Sequence, residues 1–259
     1  MKYLKICLIF TFSIILFSGC YDSETKVLKE NFLDTKVGKI ENFKLITTIP
    51  QNEIKKKPKR KPLSVSVKKQ KFIDILVPIT TLVYNQLESQ YNRVKVDIAN
   101  MKNREYIDLL KKEYNAKTDE ALLESLKPHP ISVALAQAAA ESAWLTSRFA
   151  KEAFNIFGVW SFNKNEPRIA ASGLRGDKTI YLKKYKTLKG AVEDYYKNIG
   201  KNWAYAEFRK ERVLTNDPYK LVEYLGSYSE KKDLYISLLK SMIKYNNFRQ
   251  YDIVKGAEN

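Results

Sequence analysis

The stretch from Ile131 to Phe162, ISVALAQAAAESAWLTSRFAKEAFNIFGVWSF, constrains this chain most. Its first half is almost wholly apolar or small, with a single carboxylate, Glu141, near the end of the run. Ser132 to Thr146 is predicted as one helix, and a helix that is apolar all round belongs inside a domain. A lone acid on such a helix is costly unless it faces a cleft or a partner. Its position three residues before Trp144 suggests a carboxyl held against an aromatic wall. Low dielectric there raises its pKa and makes it a proton donor near neutrality. Leaving glycosidic oxygens need such a donor. Short side chains at Ala138, Ala139, Ala140 and Ala143 allow helices, or a sugar, to come close. On these residues alone, a core acid paired to Lys or Arg fits as well as a catalyst.

Other catalytic equipment is scarce. The only histidine, His129, lies between Pro128 and Pro130 and reads as a rigid turn residue rather than a base. One histidine excludes a multi-histidine metal site and disfavours Ser-His or Cys-His nucleophiles. The two cysteines, Cys7 and Cys20, lie in or at the end of the N-terminal apolar segment, so neither a disulfide framework nor a zinc site is expected. No metal and no cofactor is expected. Any chemistry must rest on carboxylates, tyrosines or lysines.

The formal charge of +17 points to anionic surroundings, which nucleic acid, anionic lipid and acidic wall polymer all satisfy. Residues 1–19 read as a signal segment: Lys2 and Lys5 precede an apolar run from Ile6 to Phe17, too short to span a bilayer comfortably. Leu16-Phe17-Ser18-Gly19-Cys20 resembles a lipobox, with Cys20 as the lipidated residue and Phe17 where Leu is usual. Residues 20–68 read as a lipid-anchored basic linker, because the KKKPKRK block at Lys55–Lys61 repels itself and is broken by proline. These features place the chain in a bacterial cell envelope, facing the wall (the periplasm if the cell is Gram-negative). A nucleic-acid partner is not expected.

The folded domain is predicted over residues 69–259. Apolar residues from Phe72 to Leu87 have helical spacing around Pro78, as one kinked helix or two. Ile107 to Tyr114 is a further helix, and Thr118 starts another through Leu126. Polar and glycine residues from Asn163 to Asp177, followed by Thr179–Leu182, suggest a small β excursion that walls a cleft. Leu188–Ile199, Pro218–Leu225 behind an Asp217 cap, and Asp233–Tyr245 complete a mainly α-helical domain.

The string AQAAAESAWLTSRFAKEAFNIFGVWSF resembles the bacterial glucosaminidase family of peptidoglycan hydrolases (glycoside hydrolase family 73 type), specifically its Bax-like branch. The family pattern ALAQAxxESxWGxSxxAxxxNNLFGxW is matched at Ala134–Gln137, Glu141, Ser142, Trp144, Ser147, Ala150 and Asn155–Trp160. Leu145 stands where the family usually has Gly, and Phe154 where it often has Asn. Lys71-Phe72-Ile73 with Leu76, Pro78 and Asn85 resembles the branch's opening. Tyr185, Thr187, Ala191-Val192 and Tyr196 resemble its YxSxxxAVxxYxxNL segment, and Tyr228-Ser229-Glu230 with Tyr235 its YSERGxxY segment. The matches run in order over residues 69–248.

The resemblance implies a lysozyme-like fold with a small β-lobe, and cleavage of the bond following N-acetylglucosamine in peptidoglycan. By position it implies Glu141 as general acid and Tyr228 as a tyrosine lining the catalytic centre. Asp177 is the preferred second carboxylate and Glu166 the other acid of the lobe, although assistance by the N-acetyl group needs neither. Gln137, Phe157, Gly158, Trp160, Trp203 and Tyr205 are the candidate sugar contacts; Trp144 reads as core. The chain is expected to act as a monomer on glycan strands. The alternatives are a non-catalytic wall-binding lipoprotein, and a lysozyme or lytic transglycosylase cutting after N-acetylmuramic acid.

Overall fold

A computed structural model describes residues 64–175, 178–228 and 232–252, with the side chains of residues 174, 175, 227 and 228 outside that description. Cys20, Asp177 and the basic linker lie outside the described residues. The described residues all belong to one compact unit.

Helix α1 (Val65–Ala99) opens it, four residues before the boundary expected at Lys69. The Ser64 hydroxyl caps it by accepting from the Val67 amide at 3.3 Å. Pro78 lies inside α1 without ending it. A mid-helix proline costs about 3 kcal/mol, and the burial of Phe72, Leu76 and Val83 on the core face offsets it. Helix α2 (Arg104–Tyr114) and α3 (Asp119–Leu126) pack on its second half. Thr118 caps α3 as its sequence predicts, its hydroxyl accepting from the Ala121 amide. Val94, Ile107, Leu110, Tyr114, Leu122 and Leu126 make a small separate apolar cluster there.

Helix α4 (Ile131–Ser142) is the centre of the larger core, packed by α1, by α9 (Lys232–Tyr245) and by a 3-10 turn at Phe248–Tyr251. It stops four residues short of the Thr146 end that its composition suggested. A short α5 (Arg148–Ala153), which the sequence reading did not anticipate, follows. Strands β1 (Arg168–Arg175) and β2 (Lys178–Lys183) pair antiparallel, with a register irregularity between Ala170 and Leu174. Then come α6 (Leu188–Lys201), a 3-10 turn (Trp203–Tyr205), α7 (Ala206–Leu214) and α8 (Pro218–Leu221). Asp217 caps α8 as expected, but the predicted helix continues as a 3-10 segment, Val222–Tyr228. The outcome is the mainly α domain with a small β-lobe that the sequence implies. Among the described residues no helix is long and apolar enough to cross a membrane.

Candidate active site

Every residue of α4 is buried except Glu141. The acid therefore sits at the one place where this core helix reaches solvent, in its last turn. A carboxylate at a helix C-terminus meets the negative end of the backbone dipole. Burial among protein atoms pushes the Glu141 pKa up from 4.5 to about 7, and a hydrogen bond from Tyr235 holds it from rising further. The Tyr235 hydroxyl donates to Glu141 Oε1 at 3.1 Å. It also accepts from Gln137 Nε2 at 3.0 Å. Gln137 and Glu141 are one helical turn apart, so a single phenol from α9 reaches both. Tyr205, from the 3-10 turn, also feels the acid: its pKa is raised by burial first and by the Glu141 charge second.

The chain leaves α4 through an unusual turn. Ala143, Trp144 and Leu145 all have positive φ, at 50°, 61° and 61°. Residues other than glycine pay for the left-handed region with a clash at Cβ. Ser142 holds the turn: its buried hydroxyl donates to Ala138 O and accepts from the Leu145 amide at 2.8 Å. The Ser142 carbonyl accepts from the Thr146 and Ser147 amides. Thus the serine after the acid locks the bend that ends the acid's helix. Trp144 packs edge-on to Phe72 at 5.1 Å, and the Lys69 ammonium lies 5.0 Å from its ring centroid. Both departures from the family pattern fall on left-handed backbone, Leu145 at φ 61° and Phe154 at φ 49°. Gly and Asn are the residues that tolerate that conformation best.

Asn155 ties the following loop to the β-lobe. Its buried amide donates to Val159 O and Lys183 O and accepts from the Val159 amide, at 2.8–2.9 Å. Gly158 takes φ 65° in the turn so formed. Trp160 then bridges to Leu182 on β2, and the Ser161 amide donates to Tyr181 O. At the other end Lys183 and the Tyr185 hydroxyl both donate to Asp194 of α6, at 2.9 and 2.6 Å.

The candidate residues divide as follows. Gln137 is fully buried with both ends of its amide bonded to tyrosines, so it is not placed to touch a sugar. Phe157 is also buried, stacked on Tyr195 with centroids 3.9 Å apart, and cannot serve as an open sugar platform. Tyr205 is 5% exposed and is a core residue beside the acid. Trp203 is 74% exposed and lines a cavity of about 490 Å³ with Asn198, Asn202 and Arg209, a cavity whose lining does not include Glu141. Trp160 is half-buried on the lobe. Glu166 accepts from the Ser161 hydroxyl at 2.7 Å. Tyr228 ends its 3-10 segment, with its side chain outside the described residues. Among the described residues no cluster of three or more His, Cys, Asp or Glu is arranged to hold a metal.

Nothing in the sequence marks the Tyr235 hydroxyl as the donor to Glu141, or the Tyr195 hydroxyl as the donor to the far end of Gln137. Tyr235 was visible as a motif match, and the spacing of Gln137 and Glu141 marks a shared helix face. Nothing in the chain order signals that Tyr195 lies behind that face, with His129 Nε2 2.9 Å from its hydroxyl.

A family model described as mannosyl-glycoprotein endo-beta-N-acetylglucosaminidase matches residues 116–248. Protein bax of Escherichia coli (strain K12) is 29% identical over 131 residues, covering 48% of this chain and 46% of that protein. The chain thus spans under half the length of this curated relative. Among solved structures, the catalytic domain of the autolysin Auto from Listeria monocytogenes is 21% identical, with 74% of this chain and 99% of that one covered and a TM-score of 0.41. An N-acetylmuramoyl-L-alanine amidase from Staphylococcus aureus is 16% identical, with 74% and 45% covered and a TM-score of 0.48.

Proposed function

Because the chain belongs to the glucosaminidase family, we propose that it is a peptidoglycan hydrolase that cleaves the glycosidic bond following N-acetylglucosamine, with Glu141 as general acid. One observation carries this reading: the single α4 residue open to solvent is a carboxylic acid whose pKa burial pushes up to about 7. At neutral pH a large fraction of that carboxyl is protonated. It delivers the proton to the departing glycosidic oxygen as the bond to the anomeric carbon breaks. The resulting carboxylate is stabilised by the Tyr235 hydroxyl.

Asp177 is the proposed second carboxylate, activating water on the opposite face of the sugar. Glu166 is the less suited acid of the lobe, since its carboxylate already receives the Ser161 hydroxyl. Tyr228 is proposed to orient the N-acetyl group or that water. Trp160, with Gly158 beside it, is the proposed sugar contact on the lobe, and the exposed Trp203 a further one. Residues 1–19 act as an export signal and Cys20 as the lipid-bearing residue, so that residues 20–68 tether a monomeric domain to an envelope membrane. Cys20→Ala moves the chain from the membrane to the soluble fraction if this is right; unchanged fractionation refutes the anchor.

The reaction is tested by incubating the purified full chain with peptidoglycan sacculi and identifying the released fragments by mass spectrometry. Reducing N-acetylglucosamine ends are expected from the wild type and none from Glu141→Gln. Muramic-acid or anhydro ends would assign the chain to the other bond. Equal release by both proteins would remove Glu141 from the mechanism.

A further inference from the structure

A continuous hydrogen-bonded chain runs from the acid into the core. Glu141 Oε1 accepts from the Tyr235 hydroxyl, and that hydroxyl accepts from Gln137 Nε2. Gln137 Oε1 accepts from the Tyr195 hydroxyl at 2.6 Å. The Tyr195 oxygen in turn lies 2.9 Å from His129 Nε2. Gln137, Tyr195 and His129 are at most 1% exposed, so water does not substitute for any link between them.

The direction of the chain follows from proton counting. Each phenol has one proton to give. With the Tyr195 proton on Gln137, His129 Nε2 must be the donor to Tyr195. The other ring nitrogen agrees. His129 Nδ1 is buried without a partner, and a buried bare acceptor is better tolerated than a buried unpaired N–H. The His129 ring is therefore neutral with its proton on Nε2. Burial and the Arg212 cation both oppose a second proton there. Donation then runs one way, from His129 through Tyr195 and Gln137 to Tyr235 and Glu141.

If the Gln137 amide turned over, Tyr235 would donate to Gln137 instead, and the Glu141 carboxylate would lose its donor. We infer that His129, Tyr195 and Gln137 are positioning residues that keep the Tyr235 proton on Oε1 of Glu141, leaving Oε2 as the oxygen that carries the transferred proton. This inference rests on Glu141 being the general acid. The other titratable groups facing the chain among the described residues are Tyr205 beside Glu141, and Tyr196 and Arg212 beside His129.

The test is a double-mutant cycle read by the titration of Glu141 in the full chain, followed by carboxyl ¹³C NMR. Each Tyr→Phe change removes one oxygen and keeps the ring. Tyr235→Phe raises the Glu141 pKa by about one unit, the scale of a charge-assisted hydrogen bond. Tyr195→Phe lets the Gln137 amide turn and raises it by less, in the same direction. The double variant matches Tyr235→Phe alone, because Tyr195 acts only through Tyr235. In turnover, the alkaline limb of the kcat profile moves to higher pH in the same order. The NMR titration needs no substrate, so a chain inactive on peptidoglycan defeats the functional reading while the relay is still judged. A Tyr195→Phe protein that titrates Glu141 as the wild type does, whatever its thermal stability, overturns the relay. So do shifts that simply add.

Discussion

The end of α4 and the β1–β2 hairpin are held in opposite ways. Eleven of the twelve residues of α4 are buried, and the polar groups around Glu141 are hydrogen-bonded to one another. On β2 only Leu182 is buried, and β1 slips register between Ala170 and Leu174. Arg148 of α5 fastens the hairpin from outside, donating to Ala170 O at 2.6 Å, and across the two strands the Arg168 guanidinium lies 3.9 Å from the Tyr181 ring centroid. A group whose pKa must be set by its surroundings needs surroundings that do not rearrange. A surface element with few buried contacts is more loosely fastened. The molecule therefore sets Glu141 at the edge of the core and presents its lobe on the surface.

Breaking the rigid side has the largest expected effect. Glu141→Gln lowers the rate of fragment release by about 10²–10⁴-fold, the usual worth of a general acid, with the fold intact by circular dichroism. Asp177→Asn lowers it by about 10²-fold if that acid activates water, while Glu166→Gln lowers it less; a larger loss in Glu166→Gln would reverse their assignment.

A third expectation tests the rigid side by pH. The folded Glu141 pKa is about 7 against 4.5 for the ordinary side chain. Between those values the folded state holds a proton that the unfolded chain has lost. The stability is fully present below pH 4.5 and falls as pH rises through 7. Glu141→Gln, which cannot ionise, should gain on the order of 2 kcal/mol over wild type in urea unfolding at pH 8, and the gain should vanish near pH 4. The smallest effect is expected at Phe154→Asn. It places a residue suited to left-handed backbone at φ 49° and should raise stability by a few tenths of a kcal/mol, measured as a higher thermal midpoint; a fall would mean the Phe154 ring contributes more than the backbone loses.

Much of this was legible in the chain. The apolar composition of Ile131–Ser142 announces a core helix, because that follows locally, whereas the one acid on it is equally a core acid or a catalyst until the motif resemblance is added. Thr118 and Asp217 are caps whose bonds span two or three residues, so their effect is readable locally. The early end of α4 was not readable. Ala143–Thr146 has ordinary helix formers, and only the Ser142 hydroxyl and the packing of Trp144 on Phe72 make a left-handed turn the better solution. Gln137 and Phe157 misled for a related reason. Each is a residue type that binds sugars well, but Tyr195, 58 residues beyond Gln137 and on a different helix, occupies both. Long-range partners of that kind leave no mark on spacing.

Helix α1 joins the two apolar clusters: Phe72, Leu76 and Val83 enter the larger and Val94 the smaller. At about 1.5 Å per residue, its 35 residues make a single rod long enough to serve both. The smaller cluster cannot come apart without fraying the helix that closes the larger, and helix ends are lost cooperatively. One continuous helix thereby ties the far end of the domain to the core that surrounds the acid.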